Sequence, residues 1–255
     1  MNKYKRFSKL PMPEEGEIAL SYGVKYLANP DYKPHRHSQE RPFLVLDKDK
    51  DDNVLALKIQ ERKDKIYKSN YYLNANKYNN EVMTKNSVVE TEYVYKLGRG
   101  DFIKRGFRIS NSDYLRILEK LIFLYVNNMN SVDKKSAKKL HQKLYKGRQA
   151  KYGEIIKVPY ENCYLYVYDS THEEYKCIRL YKEKLEDCIS YPEKIGDVIS
   201  YINYMEDDVY IPKKDVIYFV NIRLDKKKTK KIIAKKRVAN EVKVENANML
   251  KLKKV

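Results

Sequence analysis

The sequence predicts an α+β fold in which two small barrel-like β units follow one another, with helices between them and a basic tail after them. Three observations predict it. Gly16-Glu17-Ile18 and Gly153-Glu154-Ile155 open two apolar strands far apart in the chain. Each is followed, after a connection, by two strands joined through an acidic turn. Two segments of helical period lie between the copies.

In the first copy, residues 43–46 form an apolar run, 47–53 supply turn chemistry and 54–59 resume the strand. In the second, a β-branched and aromatic run ends at Tyr168, a polar turn covers 169–174, and a strand follows through Cys177, Ile178 and Leu180. A third parallel sets 87–98 beside 208–221, each reading strand, a few polar residues, strand. Three parallels in one order predict a diverged internal duplication.

The first helix follows Ser110 and Asp113 in capping-box spacing, with Tyr114, Ile117, Leu118, Leu121 and Ile122 on one face. A strongly basic second helix spans 131–147, with Ser131 as cap and Gly147 as stop, and can bridge the halves or touch RNA. A third is expected over 192–205, from Pro192 near its first turn and a stripe of Ile195, Val198, Ile199 and Ile202. That helix precedes the last strands of the second half, whereas the first half's helix follows them. The expected organisation is a barrel with its C-terminal helix over 1–129, a basic helical linker over 130–150, a second β-rich domain and candidate degenerate repeat over 151–225, and a Lys-rich tail over 226–255.

Composition narrows the function. No apolar run reaches the length of a membrane span and the N-terminal segment lacks the apolar core of a secretory signal, so a cytoplasmic protein is expected. Cys163, Cys177 and Cys188 fit neither a disulfide framework nor a zinc site and read as small buried hydrophobes. The net charge is +18, and the tail, with twelve Lys/Arg against two Glu, supplies +10 of it. An anionic partner follows, nucleic acid being the commonest, although a Lys-rich coding bias gives the same count.

No Walker loop, G-x-S-x-G elbow, HExxH or paired-Cys motif occurs, which sets aside nucleotide-dependent, esterase and zinc chemistry. No cofactor and no metal are expected. Asp47, Asp49, Asp51 and Asp52 alternate with lysines and read as a solvated hairpin tip. His35 and His37 point to one side of an extended chain, and the neighbouring Arg36 and Arg41 favour neutral imidazole able to take a proton. A plain solvated loop is the alternative. Tyr67, Tyr71, Tyr72 and Tyr78 are interleaved with Lys and Asn, a composition that stacks unpaired bases or covers the sheet. The tail either binds RNA in a salt-sensitive way or forms a fraying surface helix.

Gly16-Glu17-Ile18, then Arg41-Pro42 before the 43–46 strand, then the Ser87-Val88-Val89 strand leading to the helix after Ser110, resemble the PemK/MazF-like toxins, including the ToxN and TenpN group. The resemblance covers roughly half the chain, residues 15–128. It implies an SH3-like barrel and metal-independent endoribonuclease activity, in which the 2′-hydroxyl of RNA attacks the adjacent phosphate. Arg41 takes the family's phosphate-binding position, with His35 and His37 as proton carriers. Many members carry Thr-Ser after the acidic turn; here Lys58, Ile59 and Gln60 stand there. Lys58 can replace the lost hydroxyl with charge, and Gln60, Arg62, Lys63, Tyr67, Tyr71, Tyr72 and Ser87 are the expected RNA contacts. The same departure fits a protein that binds RNA without cutting it.

The partners implied are single-stranded RNA and an RNA or protein antitoxin, within a toxin–antitoxin or phage-defence system. The expected state is a monomer whose second barrel stands in for a dimer partner, or a homodimer. A non-catalytic RNA-binding protein of a mobile element and a protein-interaction module are the alternatives.

Overall fold

The computed structural model describes residues 11–21, 25–26, 41–49, 51, 53–62, 67–78, 83, 85–186, 189–195 and 197–252. The chain divides into two units, Met1–Lys146 and Gly147–Val255. The fold is mixed α+β, and every strand pairing among the described residues is antiparallel.

The first unit is built from β1 (Glu17–Ser21), β2 (Lys25–Tyr26), β3 (Arg41–Lys48), β4 (Val54–Glu61), β5 (Asn70–Leu73), β6 (Ser87–Glu90), β7 (Tyr95–Leu97) and β8 (Phe102–Arg108), then helices α1 (Asn111–Val126) and α2 (Lys134–Tyr145). Its strands run in the order β2-β7-β4-β3-β1-β8, while β6 pairs with the far end of β4 and β5 with β6. Alternation along the strands puts Ala19, Phe43, Val45, Val54, Ala56, Tyr95, Leu97 and Phe102 into one buried cluster. On the other side α1 lies along β5: Tyr71 donates to Asp113 at 2.8 Å, and the Lys120 ammonium to the Asn70 carbonyl at 2.6 Å.

The second unit contains β9 (Glu154–Lys157), β10 (Tyr164–Ser170), β11 (Glu174–Leu180), β12 (Tyr191–Ile195), β13 (Val198–Ile202), β14 (Val209–Pro212), β15 (Tyr218–Arg223) and α3 (Lys226–Leu252). Its main sheet runs β14-β11-β10-β9-β15, with β12 and β13 paired as a hairpin. That order matches β7-β4-β3-β1-β8 strand for strand. A helix follows the last strand in both units.

Several expectations change here. Residues 192–205 are not helical: β12 and β13 pair from Tyr191↔Ile202 to Ile195↔Val198, so Ile195 and Ile202 are buried while Val198 and Ile199 are exposed. The four apolar positions suit a helical stripe by number only. The two residues between the paired Ile195 and Val198 are Gly196-Asp197, a hairpin-turn signal. Next, the segment 208–221 is β14 plus β15, whose topological counterparts are β7 and β8. The parallel drawn with 87–98 is therefore displaced by one strand, because β8 was not foreseen in its charge-rich sequence.

Third, α2 is capped by Asp133, whose carboxylate accepts from the N–H groups of Lys135 and Ser136 at 2.9 and 3.0 Å. Ser131 instead accepts from the Val94 N–H. The basic helix belongs to the first unit, where Lys139 and Lys143 reach the buried Asp47 at 3.1 and 2.7 Å, and Lys143 also pairs with Glu15. Burial works to raise the Asp47 pKa, but the hydrogen bonds from both lysines bring it below the ordinary value. The acidic turn is thus no uniformly solvated tip. Asp49 also orders it, accepting from the N–H groups of Asp51 and Asn53.

The Lys-rich segment is helical, and its first turns are anchored: Thr229, Ile232, Ile233, Lys236 and Ala239 are buried. The Lys236 ammonium reaches the Tyr204 carbonyl at 3.1 Å and Asp208 at 3.3 Å. Among the described residues no helix is long and apolar enough to cross a membrane.

Gly16 and Gly153 both sit at positive φ, +78° and +84°. Alanine at either position is expected to cost about 1–2 kcal/mol, from the left-handed backbone alone. The loss should be larger at Gly153, where a Cβ would stand 3.2 Å from the Thr229 hydroxyl, than at Gly16, where the nearest atom is 3.7 Å away. Urea unfolding midpoints of the two variants check the ranking.

Candidate nucleic-acid interface

Side chains on one face of β4 read Val54, Ala56, Lys58, Gln60 and then Arg62 just past its end. The first two are buried in the core cluster, Lys58 and Gln60 are half-buried, and Arg62 is exposed. An apolar face therefore turns polar within three residues, and it does so where neighbouring strands turn polar as well. The β3–β4 pairing ends at Phe43↔Lys58, and Arg41 and Gln60 are the next residues on the side of the sheet that this pair shares. Arg41 in turn pairs with Ser21 of β1, Gln60 with Val88 of β6, and Val88 with Tyr72 of β5. Tyr72, Val88 and Gln60 thus form one lateral row, and Arg41 and Ser21 pair beside it. Strand pleating turns alternate residues to one side, so the outer members of this row share a face.

Val88 and Ser21 are buried, so the charge on this face comes from Arg41 and from Lys58 and Arg62 of the β4 segment, with Tyr72 as the aromatic at its edge. Arg41 is exposed at the start of β3. The Arg62 guanidinium lies 5.1 Å from the centre of the Tyr72 ring, and Tyr72 is 37% exposed. Lys58 stands 3.5 Å from Glu90. For side chains 28% and 17% exposed, an ion pair at that distance contributes about 1 kcal/mol or less, so a phosphate can compete for Lys58.

The other expected contacts separate from this row. Tyr71 and Ser87 point to the opposite side: Tyr71 is bonded to Asp113, and the buried Ser87 hydroxyl donates to the Lys85 carbonyl at 2.8 Å. Tyr67 lies in the turn before β5 and is 64% exposed. Tyr78 joins Tyr71 on Asp113, along with Lys77 and Ser110. Burial would raise the Asp113 pKa, yet hydrogen bonds from Lys77, Tyr78, Tyr71 and Ser110 outweigh it and hold the carboxyl at about 2. Of the four interleaved tyrosines, two fasten the segment to α1 and two face solvent. His35, His37 and Lys63 lie outside the described residues.

Sequence reasoning missed Glu90, which faces Lys58, and, beyond its place at the start of α1, the hold of Asp113 on the tyrosine segment. The alternation of Ser87–Glu90 against β4 carried the signal for the first. The N3 position of a capping box carried it for the second. Elsewhere, burial first and Glu161 second raise the Cys163 thiol to about 11, and burial raises the thiol of Cys177. Neither cysteine is poised as a nucleophile. Cys188 is outside the described residues. Compared with known proteins, the chain matches no protein-family model and no curated protein.

Proposed function

We propose that the first unit binds single-stranded RNA across the β5-β6-β4-β3 face and cleaves it as a metal-independent endoribonuclease of the PemK/MazF-like, ToxN-related kind. One observation carries the reading: Lys58, and Arg62 with Tyr72 against it, extend the polar end of a β4 face whose inner part is hydrophobic core, and Arg41 lies on the same side at the start of the neighbouring β3. The strand order β7-β4-β3-β1-β8 supports an SH3-like barrel as the scaffold, with a second such barrel in the following unit.

Cleavage by 2′-hydroxyl attack makes a dianionic phosphorane, and fixed cations at its oxygens lower that barrier. Arg41 offers the forked donor geometry that phosphate oxygens match. Lys58 adds a second charge, Tyr72 a stacking surface for an unpaired base, and the Gln60 amide both a donor and an acceptor. Proton transfer is assigned to His37 and His35, four and six residues ahead of Arg41 in sequence. An RNA or protein antitoxin, and a chain acting alone or as a homodimer, complete the proposal.

The test is a mixed RNA pool incubated with the protein in excess EDTA, beside Arg41→Ala. Discrete fragments with a cyclic phosphate from the unsubstituted protein alone are expected. Binding without cleavage is the second reading, and the Lys58–Glu90 pair favours it, since part of the charge meant for a phosphorane is already answered. Retained RNA recovered intact from folded protein decides for that reading.

A further inference from the structure

The two units agree in more than strand order. The Gly16 N–H donates to Val45 O at 2.9 Å, and the Gly153 N–H to Val167 O at 2.8 Å. In each copy the next residue's carboxylate accepts from the N–H three residues back, Glu17 from Glu14 and Glu154 from Lys151. The hairpins carry their bulge at the same step, between Val45 and Asp47 and between Val167 and Asp169. A Cβ on Gly16 would meet Tyr114 and one on Gly153 would meet Thr229, each four residues after its helix cap, Ser110 and Asp225. The β12–β13 hairpin takes the place of β5–β6: Tyr201 bridges Tyr181 at the end of β11, as Val88 pairs with Gln60 on β4.

This alignment sets Phe43 beside Leu165 and Lys58 beside Arg179. One pleat further it sets Arg41 beside Cys163 and Gln60 beside Tyr181. Both copies thus place a cation where the buried core ends, but the surroundings differ in sign. Among the described residues Lys58 has one carboxylate at 3.5 Å, with Arg41 and Arg62 on its side of the sheet. Arg179 is gripped by Glu161 through two nitrogens, at 3.0 and 3.2 Å, and by Glu206 at 2.8 Å. Tyr181 donates to Glu206, and a neutral thiol stands in Arg41's place. An open cleft of about 710 Å³ lies here, lined in part by Tyr160, Tyr164, Tyr181 and Lys182.

A guanidinium forked onto a carboxylate uses the donors it would use on a phosphodiester. We propose that the second unit holds a closed counterpart of the first unit's face: a phosphate site whose cation, Arg179, is occupied by the chain's own Glu161 and Glu206. A single chain therefore presents one RNA-phosphate site where its repeated topology provides two. The proposal rests on the RNA-binding reading for its probe, so its test removes the first face.

In an Arg41→Ala/Lys58→Ala background, Glu161→Gln/Glu206→Gln is titrated with a short fluorescent single-stranded RNA at low salt. Affinity is expected to rise roughly tenfold, the size of one charge-assisted contact. Adding Arg179→Ala should abolish the gain, leaving only the background from the Lys-rich helix. The single Glu206→Gln variant, which keeps Arg179 on Glu161, should give a smaller gain and serves if the double variant fails to fold. No gain from a folded variant overturns the proposal, and so does Arg179-dependent binding already present before the glutamates are changed. Neither outcome depends on whether Arg41 binds RNA. Failure of the first-face reading shows separately, as unchanged binding when Arg41→Ala/Lys58→Ala is compared with the unsubstituted protein.

Discussion

Arg41→Ala is expected to lower RNA cleavage by on the order of 10²–10³-fold, the usual loss when one preorganised donor to a developing oxyanion is removed. Folding should hardly change, because Arg41 is exposed and surface substitutions commonly stay within about 0.5 kcal/mol. Arg41→Lys separates charge from shape: a lysine keeps the cation and loses the fork, so partial recovery is expected. Lys58→Ala should cost less, since Lys58 begins shared with Glu90. Single-turnover cleavage rates and melting curves on the same preparations distinguish these effects. An Arg41→Ala protein that cleaves at the unsubstituted rate would remove Arg41 from the site. For binding, each phosphate-contacting cation neutralised should flatten the plot of log affinity against log salt by about 0.7 on single strands.

The largest stability effect is expected at Asp113, on the opposite side of β5 from Tyr72. Its carboxylate accepts from Tyr71, Tyr78, Lys77 and the cap Ser110, so Asp113→Ala strips several donors at once. A loss of about 3 kcal/mol is expected, from the several charge-assisted hydrogen bonds removed at once and a weakened helix start. The pH dependence has a definite sign. The folded carboxyl titrates at about 2, below its ordinary 3.8, so its contribution is present above pH 4 and disappears as pH falls through 2. Urea midpoints from pH 6 to pH 2 should therefore fall in the unsubstituted protein, while Asp113→Asn removes that share of the decline. An Asp113→Asn curve parallel to the unsubstituted one would rule out Asp113 as its source. Tyr72, which should reorient when the segment loosens, links this stability effect to RNA affinity.

How much was legible in the sequence depended on whether a pattern was local. The β3–β4 hairpin could be read because its apolar runs flank an acidic turn, and α1 because Ser110 and Asp113 mark its start. Arg41, Lys58 and Gln60 were candidates from their order along the chain. Their lying on one side of the sheet follows from register, which no single segment encodes. Tyr71 and Tyr72 show the same limit: adjacent in sequence, they face opposite sides of β5, and only the helix on one side decides which is spent on structure. The β12–β13 hairpin was misread because spacings of three and four also occur across a tight turn. β8 escaped because Lys104, Arg105 and Arg108 mask its alternation, although Phe102 is buried.

The strand order shared by the two units has a consequence for assembly during synthesis. In each unit the opening strand is flanked by the last: Glu17 pairs with Arg108, and Glu154 with Arg223. Neither sheet can be completed from a short stretch of chain, and such non-local pairing is intrinsically slow. Tandem copies of one topology are prone to exchanging strands while both are incomplete. Here Arg108 leaves the ribosome well before Tyr218 is made, so β1 can meet β8 while its rival β15 does not yet exist. Vectorial synthesis sorts the look-alike strands by time. Refolding from denaturant, where both copies collapse together, should for that reason recover less native protein than translation does.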